Sequence, residues 1–216
     1  MFSNEGVPIT ETGESLKLGK LIVGFIGPEG SGKTTMATKL SEVSGKPYIS
    51  TGDIVRNLAQ NDSTKYGNAC RDILEGGKYL NPNMLLELLE TRLNQTDTEE
   101  GFILDGVFRS IEEIQGFQSM LDRIGRTMPI VTIQLRIPGW MGVYRLAQKE
   151  GARKREGDTI DGVLKRLSKY YHQVGQRASL IRNQEGWQLV HIDSTGTQEE
   201  LFNNVLIALH EYKSRP

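Results

Sequence analysis

The stretch GPEGSGKT, residues 27–34, constrains the fold of this chain more than any other segment. Gly27 and Gly32 are separated by four residues, and Lys33 and Thr34 follow directly. Glycines at this spacing let backbone N–H groups turn inward around an anion, and a helix that begins after them adds its positive end. The lysine can reach outer phosphates, and the threonine hydroxyl can ligate Mg²⁺. The motif therefore predicts a phosphate-binding loop between a buried strand and a helix.

Short apolar runs alternate with amphipathic segments along the chain. The apolar runs predict strands over 21–26, 46–50, 101–106, 130–137 and 187–193. Strands that are separated by helices pair in parallel and form an open α/β sheet. We therefore predict an α/β fold of the P-loop NTPase kind, with three layers (α/β/α) and a five-stranded parallel sheet. Ligands of such sheets bind at the carboxyl ends of the strands, where the motifs of this chain lie.

Polar residues mark the predicted starts of several helices. Asn81 and Pro82 suit the N-cap and the first turn of one helix. Ser110 is predicted to cap another, with Glu113 three residues on completing a capping box. A helix is also expected from Asp53. The segment KEGARKREGD, residues 149–158, interrupts the pattern with charges and glycines, which is typical of a mobile loop.

Composition and charge exclude several classes of protein. The 216 residues suit one large domain, or one domain with an insertion. The formal net charge of −1 leaves no broad basic field for a nucleic-acid backbone. Cys70 is the only cysteine, which excludes a disulfide framework and a cysteine zinc site and favours a reducing compartment.

The N-terminus is polar and lacks the apolar region of a signal peptide. The longest apolar run, LIVGFIG, is too short to span a bilayer. We therefore expect a soluble, cytoplasmic protein with no membrane and no nucleic-acid partner. Residues 1–20 are predicted to form a flexible N-terminal extension.

Two further stretches follow predicted strands. These stretches, ISTGDIVR (49–56) and GFILDGVFRS (101–110), resemble the Ser-Thr-Gly-Asp-x-x-Arg and Gly-Phe-x-x-Asp-Gly-Phe-Pro-Arg patterns of the adenylate kinase-like nucleoside monophosphate kinases. DSTGTQEELF (193–202) resembles the segment against which that family packs its donor adenine. Further matching positions are Arg145, seven residues after Pro138, and Arg155, Asp158 and Arg166. The resemblance covers about residues 21 to 212.

The resemblance implies an ATP-dependent phosphotransferase with Mg²⁺ as cofactor and a nucleoside monophosphate (NMP) as acceptor. Phosphoryl transfer between two polyanions needs charge neutralisation and alignment rather than a strong base. Arginine suits that task because its planar fork binds phosphate bidentately. The resemblance further implies one kinase domain over 21–216, an NMP-binding insertion over about 51–80, a short lid over about 149–159, and a monomer.

The site residues that the resemblance implies fall into four groups. Those expected to act in catalysis are Lys33, Arg109, Arg145, Arg155, Arg166 and Asp105. Those expected to bind ATP are Gly27, Glu29, Gly30, Ser31, Gly32, Lys33, Thr34, Thr35, Arg145, Gly196 and Thr197. Those expected to bind the NMP are Thr51, Gly52, Arg56, Leu80, Gly106, Arg109, Glu113, Arg155 and Arg166. The residues expected to hold Mg²⁺ are Thr34, Asp105 and Asp53. The two aspartates are expected to act through water. Arg153 could replace Arg155, and Asp53 could instead cap its helix.

Four residues depart from the family pattern. Phe108 stands in place of proline, which could place Arg109 differently, and Lys149 and Gly157 change the donor side. Glu113 stands where the family has a glutamine that reads adenine. An ionised glutamate only accepts hydrogen bonds and would suit guanine better, unless Glu113 merely completes the helix cap.

Thr51 is typical of members that use AMP, so we expect an adenylate kinase that converts MgATP and AMP into two ADP. Three alternatives stay open: a kinase for GMP, UMP or CMP, a non-catalytic nucleotide-binding paralogue, and a kinase for another small molecule. The STGD motif argues against the last, because it belongs to a nucleotide-shaped acceptor site.

Overall fold

The structure is a computed structural model that describes residues 16–76, 79–147 and 160–214. The described residues contain five strands: β1 (Leu21–Ile26), β2 (Tyr48–Ser50), β3 (Gly101–Asp105), β4 (Ile130–Arg136) and β5 (Trp187–Asp193). They form one parallel sheet in the order β2-β3-β1-β4-β5. This confirms the predicted five-stranded parallel sheet. The second strand is shorter than the predicted 46–50, since Pro47 has no N–H to donate.

Eight α-helices connect and cover these strands in the described residues. They are α1 (Lys33–Ser44), α2 (Thr51–Asn61), α3 (Lys65–Gly76), α4 (Pro82–Leu93), α5 (Ile111–Arg123), α6 (Gly139–Ala147), α7 (Ile160–Arg182) and α8 (Gln198–Lys213). A short 3₁₀ turn, Thr96–Thr98, precedes β3. The predicted NMP-binding insertion contains α2 and α3.

Side chains from both faces of the sheet are buried, which creates a core on each side. On one face, Phe102, Phe117 and Leu89 pack beneath α4 and α5. On the other face, Met36 of α1 and Val205 of α8 pack against the strands. Strands that are covered on both faces read as continuous apolar runs, as β1 and β3 do here. The three-layer prediction is therefore confirmed.

Part of the segment that we assigned to the N-terminal extension contacts the domain. The Leu16 N–H donates to Val43 O at 2.8 Å, and the Leu18 side chain is buried in the core beside α1 and α8. Residues 1–15 lie outside the described part of the chain. No helix of the described residues is long and apolar enough to cross a membrane.

Two helix starts differ from the predicted ones. The second helix begins at Thr51 rather than Asp53, because the Ser50 hydroxyl accepts from the Asp53 N–H at 3.2 Å and caps it. The idea that Asp53 caps its helix was therefore wrong. A reciprocal capping box forms between Thr197 and Glu200 at the start of α8, where none was predicted.

The sheet brings the predicted motifs to one edge. The register pairs Asp105, the last residue of β3, with Phe25 of β1 on one side and Ser50 of β2 on the other. The loop after β1, the start of α2 and the turn after β3 therefore meet at the carboxyl ends of three adjacent strands.

Candidate active site

The loop between β1 and α1 needs glycine at two places for lack of space. A Cβ atom on Gly27 would lie 2.7 Å from Ser31 Oγ and 2.8 Å from Leu135 O. A Cβ on Gly30, which has a φ of 77°, would collide with the backbone of Gly142 in α6. The Ser31 hydroxyl is buried and has no hydrogen-bond partner within the described residues. The loop thus offers a tight backbone cradle with an unused polar group, as expected for an anion site.

A hydrogen-bonded cluster of oxygens lies beside this loop. Thr34 Oγ1 donates to Asp105 Oδ2 at 2.6 Å, and the Tyr48 hydroxyl donates to the same oxygen at 2.9 Å. Burial and the negative charge of Asp105 raise the pKa of Tyr48, so the phenol keeps its proton and stays a donor. A hydroxyl and a carboxylate are the hard ligands that Mg²⁺ prefers. Lys33 Nζ donates to Pro28 O at 2.8 Å, within the loop.

The start of α2 and the turn after β3 form the predicted acceptor side. Thr51 Oγ1 donates to Gly106 O at 2.8 Å. A Cβ on Gly106 would collide with the guanidinium of Arg109, and one on Gly52 would lie 3.1 Å from Arg56 Nη1. The two glycines therefore leave room for two arginine head groups beside Thr51. Two guanidinium forks at one edge of the sheet are suited to a phosphate group.

A small cavity joins the phosphate loop to the acceptor side. It is lined by the cationic side chains of Lys33, Arg109, Arg166, Lys169 and Arg177, together with Glu29 and Tyr79. Arg166 Nε donates to Glu29 Oε1 at 3.1 Å, which places the guanidinium directly over the loop. Among the described residues that line the cavity, five are cationic and one is a carboxylate, so there is an excess of positive charge that a polyanion would neutralise.

A second cavity, of about 390 Å³, lies on the other side of the loop between α6 and α8. Arg145 crosses it, and its guanidinium donates to Ser194 O at 2.8 Å, to Thr195 O at 3.1 Å and to Gly196 O at 3.2 Å. The remaining wall includes both polar and apolar side chains: Thr35, Met36, Tyr144, Leu146, Thr197, Gln198 and Leu201. A planar, partly apolar group such as a nucleobase fits a cavity of this size and lining.

Comparison with known proteins agrees with this geometry. The family model described as adenylate kinase matches residues 25–183. The adenylate kinase of Mycobacterium leprae is 36% identical over 185 residues, which cover 86% of this chain and 97% of the relative. Those of Mycobacterium tuberculosis and Xylella fastidiosa are 35% and 33% identical over the same shares of the chains. The chain belongs to the adenylate kinase family. The family predicted from the combined sequence motifs is therefore confirmed.

The residues expected from the adenylate kinase pattern are placed as follows. Lys33, Thr34 and Asp105 meet beside the phosphate loop, and Thr51, Gly52, Arg56, Gly106 and Arg109 meet at the acceptor side. Asp53 forms an ion pair with Arg56. Leu80 is not in the cavity but is buried in the core. The lid over 149–159, with Arg155, its alternative Arg153 and the departures Lys149 and Gly157, lies outside the described residues.

The lining residues that were not predicted from the sequence include Tyr79, Lys169 and Arg177. The ring centroid of Tyr79 lies 4.8 Å from Arg109 Cζ and 5.0 Å from Lys169 Nζ, so the ring is held between two cations. Lys169 and Arg177 follow Arg166 on α7 at helical spacings, so periodicity could have grouped the three cations on one face. Nothing in the sequence around Tyr79 indicates its position.

The departures Phe108 and Glu113 meet in the turn before α5. Ser110 caps the helix by accepting from the Glu113 N–H at 3.2 Å. The Glu113 carboxylate, however, accepts from the Arg109 N–H at 2.8 Å and not from the N–H of Ser110. The predicted capping box is therefore wrong at this helix. Phe108 has a φ of 57°, in the left-handed region, and this turns the next peptide N–H toward the carboxylate.

Burial of Glu113 predicts a pH-dependent stability. Its side chain is 2% exposed, and loss of water raises the pKa of its carboxyl, although the Arg109 N–H and the charges of Arg109, Arg177 and Lys169 oppose the shift. A pKa that is higher in the folded chain stabilises the fold fully below the unfolded-state pKa, and this contribution is lost as the pH rises through the folded-state pKa.

We therefore compare the wild type with Glu113→Gln, which keeps an acceptor for the Arg109 N–H but does not titrate. Relative to this variant, the wild type should lose free energy of unfolding as the pH rises from the ordinary pKa of a glutamate, 4.5, through the higher pKa of the folded chain. Urea unfolding at a series of pH values measures this difference. A difference that is constant, or that changes in the opposite direction, would contradict the expectation.

Proposed function

We propose that this protein is an adenylate kinase, which transfers the γ-phosphoryl group of MgATP to AMP and gives two ADP. One observation carries the proposal: the cation-lined cavity joins a phosphate loop on one side to a pair of arginines on the other. The names of the relatives agree with it, because each is called an adenylate kinase.

The phosphate loop binds the donor phosphates in this proposal. Lys33 exchanges Pro28 O for phosphate oxygens, and the loop N–H groups and the start of α1 supply further donors. The base of ATP occupies the cavity beside Arg145 and Tyr144. Mg²⁺ would be held by Thr34 and, through water, by Asp105, and when bound it neutralises charge on the phosphates.

The acceptor phosphate lies between Arg56 and Arg109, and the transferring group lies in the cavity between the two sides. Arg166 exchanges its ion pair with Glu29 for the transferring phosphoryl group, whose charge grows on its peripheral oxygens. No side chain has to act as a strong base, because alignment and charge neutralisation lower the barrier.

The position of Glu113 favours AMP over GMP. The reason to consider GMP was a carboxylate that reads guanine, but this carboxylate is buried and bound to the Arg109 N–H. Thr51 at the start of α2 is typical of members that use AMP. The monomeric state and the cytoplasmic location stay predictions, and gel filtration checks the first.

The test is the formation of nucleoside diphosphate from MgATP with AMP, GMP, CMP, UMP and dTMP in turn. We expect turnover with AMP and at least tenfold less with the other acceptors. A Lys33→Met protein controls for a contaminating kinase. A preference for another monophosphate would overturn the choice of AMP, and no turnover with any of them, despite ATP binding, would overturn the kinase proposal.

Replacing Arg145 with methionine should weaken the binding of ATP but not the binding of AMP. The variant loses three hydrogen bonds that join α6 to the loop before α8, and one wall of the donor cavity with them. We expect the KM for ATP to rise about tenfold, which corresponds to one charged hydrogen bond, with the KM for AMP unchanged.

Steady-state kinetics with one substrate varied at a time would measure the effect of Arg145→Met. Arg92→Met is a matched control, because Arg92 pairs with Asp97 on the surface and should change neither constant. An Arg145 variant that raises both KM values equally would contradict the assignment.

A further inference from the structure

The peptide group between Phe108 and Arg109 is held on both sides by buried, charged side chains. Its carbonyl, Phe108 O, accepts from Arg177 Nη1 at 3.1 Å, and its N–H, on Arg109, donates to Glu113 Oε2 at 2.8 Å. We propose that Glu113 and Arg177 are positioning residues that fix this peptide and so aim Arg109 at the acceptor phosphate. The inference rests on the proposed function only for the identity of that phosphate.

Phe108 is the reason that this peptide needs external support. A non-glycine residue in the left-handed region is strained, and it persists where the surrounding structure determines its conformation. The Phe108 ring is buried and lies with its centroid 5.0 Å from that of Phe117 and 4.9 Å from that of Trp187. A Cβ on Gly24 would lie only 3.2 Å from this ring, so the ring has little room to move. Packing of the ring fixes the side chain of Phe108. The peptide that follows is held instead by the hydrogen bonds of Arg177 and Glu113.

Arg177 is placed to support the backbone rather than to bind phosphate. It is 4% exposed, and its second terminal nitrogen, Nη2, donates to Tyr170 O at 3.1 Å. Both terminal nitrogens are therefore engaged with backbone carbonyls, and the guanidinium lies 4.7 Å from the ring centroid of Tyr170. An arginine whose fork is occupied in this way is poorly available for bidentate contact with a ligand. A buried cation is costly, so its retention at this place calls for a role.

Glu113 supplies the opposite charge as well as the acceptor. It lies on α5 whereas Arg177 lies on α7, so the two side chains reach the same peptide from different helices. Each charge lowers the cost of burying the other. The orientation of the peptide is thus fixed by side chains from α5 and α7 and by its position directly after β3. This arrangement replaces the constraint that a proline at position 108 would give through its ring.

The direction of Arg109 follows from that of the peptide. Its guanidinium lies against Gly106 and 4.8 Å from the ring centroid of Tyr79. If Phe108 left the left-handed region, the changed dihedral angles would move the Arg109 Cα and carry the guanidinium away from Thr51 and Gly106. A misplacement of about 1 Å in a phosphate-binding group can cost about 100-fold in rate.

The kinetic test separates a positioning role from a merely structural one. Arg177→Met should raise the KM for AMP about tenfold and lower kcat, while the KM for ATP stays within about twofold. Glu113→Leu should do the same, and Glu113→Gln, which keeps the acceptor for the Arg109 N–H but loses the charge, should raise the KM for AMP less than Glu113→Leu does. Leu209→Ala is the stability control: it cuts a buried side chain of α8 on the far face of the sheet and should leave the KM for AMP unchanged.

The second measurement needs no turnover and starts from the wild type. Hydrogen exchange by NMR should show a protected Arg109 amide in the wild type and in Glu113→Gln, with exchange at least tenfold faster in Glu113→Leu. Equal exchange rates in the three proteins would overturn the inference, as would an unchanged KM for AMP in a folded Arg177→Met protein. A wild type without AMP turnover would overturn the proposed function instead, and the exchange rates would still decide whether Glu113 holds the peptide.

Discussion

Arg166→Met is expected to lower kcat by about 1,000-fold, the scale on which an arginine at a transferring phosphoryl group acts. In the structure its guanidinium is held over the phosphate loop by Glu29, and the other charged side chains among the described residues that line the cavity are cations. A negatively charged phosphoryl group is therefore a better partner than Glu29 once substrates bind. Methionine keeps the apolar stem but removes the charge and the fork.

Two further variants define the cause of that loss. Arg166→Lys keeps the charge without the planar fork, so we expect an intermediate loss of about 100-fold. Glu29→Gln releases Arg166 from its ion pair in the free protein but leaves its contact with substrate, so kcat should change by less than about threefold. Single-turnover measurements exclude product release as the cause. A kcat of Arg166→Met within tenfold of the wild type would contradict the role proposed for this residue.

Asp105→Asn is expected to lower activity by about 10- to 100-fold at a fixed Mg²⁺ concentration, the range found for groups that act on a metal through its outer shell. Asparagine retains a carbonyl oxygen for the Thr34 and Tyr48 hydroxyls but loses the negative charge. The fold should therefore persist while the attraction for Mg²⁺ falls. The Mg²⁺ concentration that gives half-maximal activity should rise accordingly.

Tyr48→Phe is the matched control for Asp105→Asn. It removes one hydrogen bond to the same carboxylate oxygen and leaves the charge in place. Its Mg²⁺ dependence should match the wild type, with a loss of about 1 kcal/mol in the free energy of unfolding. A normal Mg²⁺ dependence in Asp105→Asn would show that this carboxylate serves only to orient Thr34.

The alternation of apolar runs and amphipathic segments was enough to predict the sheet, because buried parallel strands require apolar side chains on both faces. Helix caps, which depend on a single hydrogen bond, were harder to predict from the sequence. Ser50 and Asp53 are both good capping residues, and only the backbone path after β2 decides that Ser50 caps α2. The local spacing of Ser110 and Glu113 predicted a capping box, but the conformation of Phe108 redirected the carboxylate.

The site residues that could be predicted are those whose positions are set by a motif or by the end of a strand. Glycines in the phosphate loop and arginines next to strand ends have positions that follow from the motifs and the sheet. Tyr79, Lys169 and Arg177 could not be assigned in this way, because their place depends on how α7 and the segment before α4 approach the cavity. Arg177 in particular acts on a peptide that lies 69 positions earlier in the chain, and no local pattern encodes such a contact.

The two indole groups of the chain lie in opposite environments. Trp187 is 8% exposed, packs on Phe108 and donates from Nε1 to Gln118 Oε1 at 3.0 Å, whereas Trp140 on α6 is 67% exposed. The tryptophan fluorescence should therefore have two components. Trp187 should emit at shorter wavelength, and Trp140 at longer wavelength with ready quenching by solutes in the solvent. A Trp140→Phe protein would keep Trp187 as its single tryptophan, in contact with the Phe108 ring in the turn before Arg109. Its emission, excited selectively above the tyrosine absorption, would report on that turn without any attached dye.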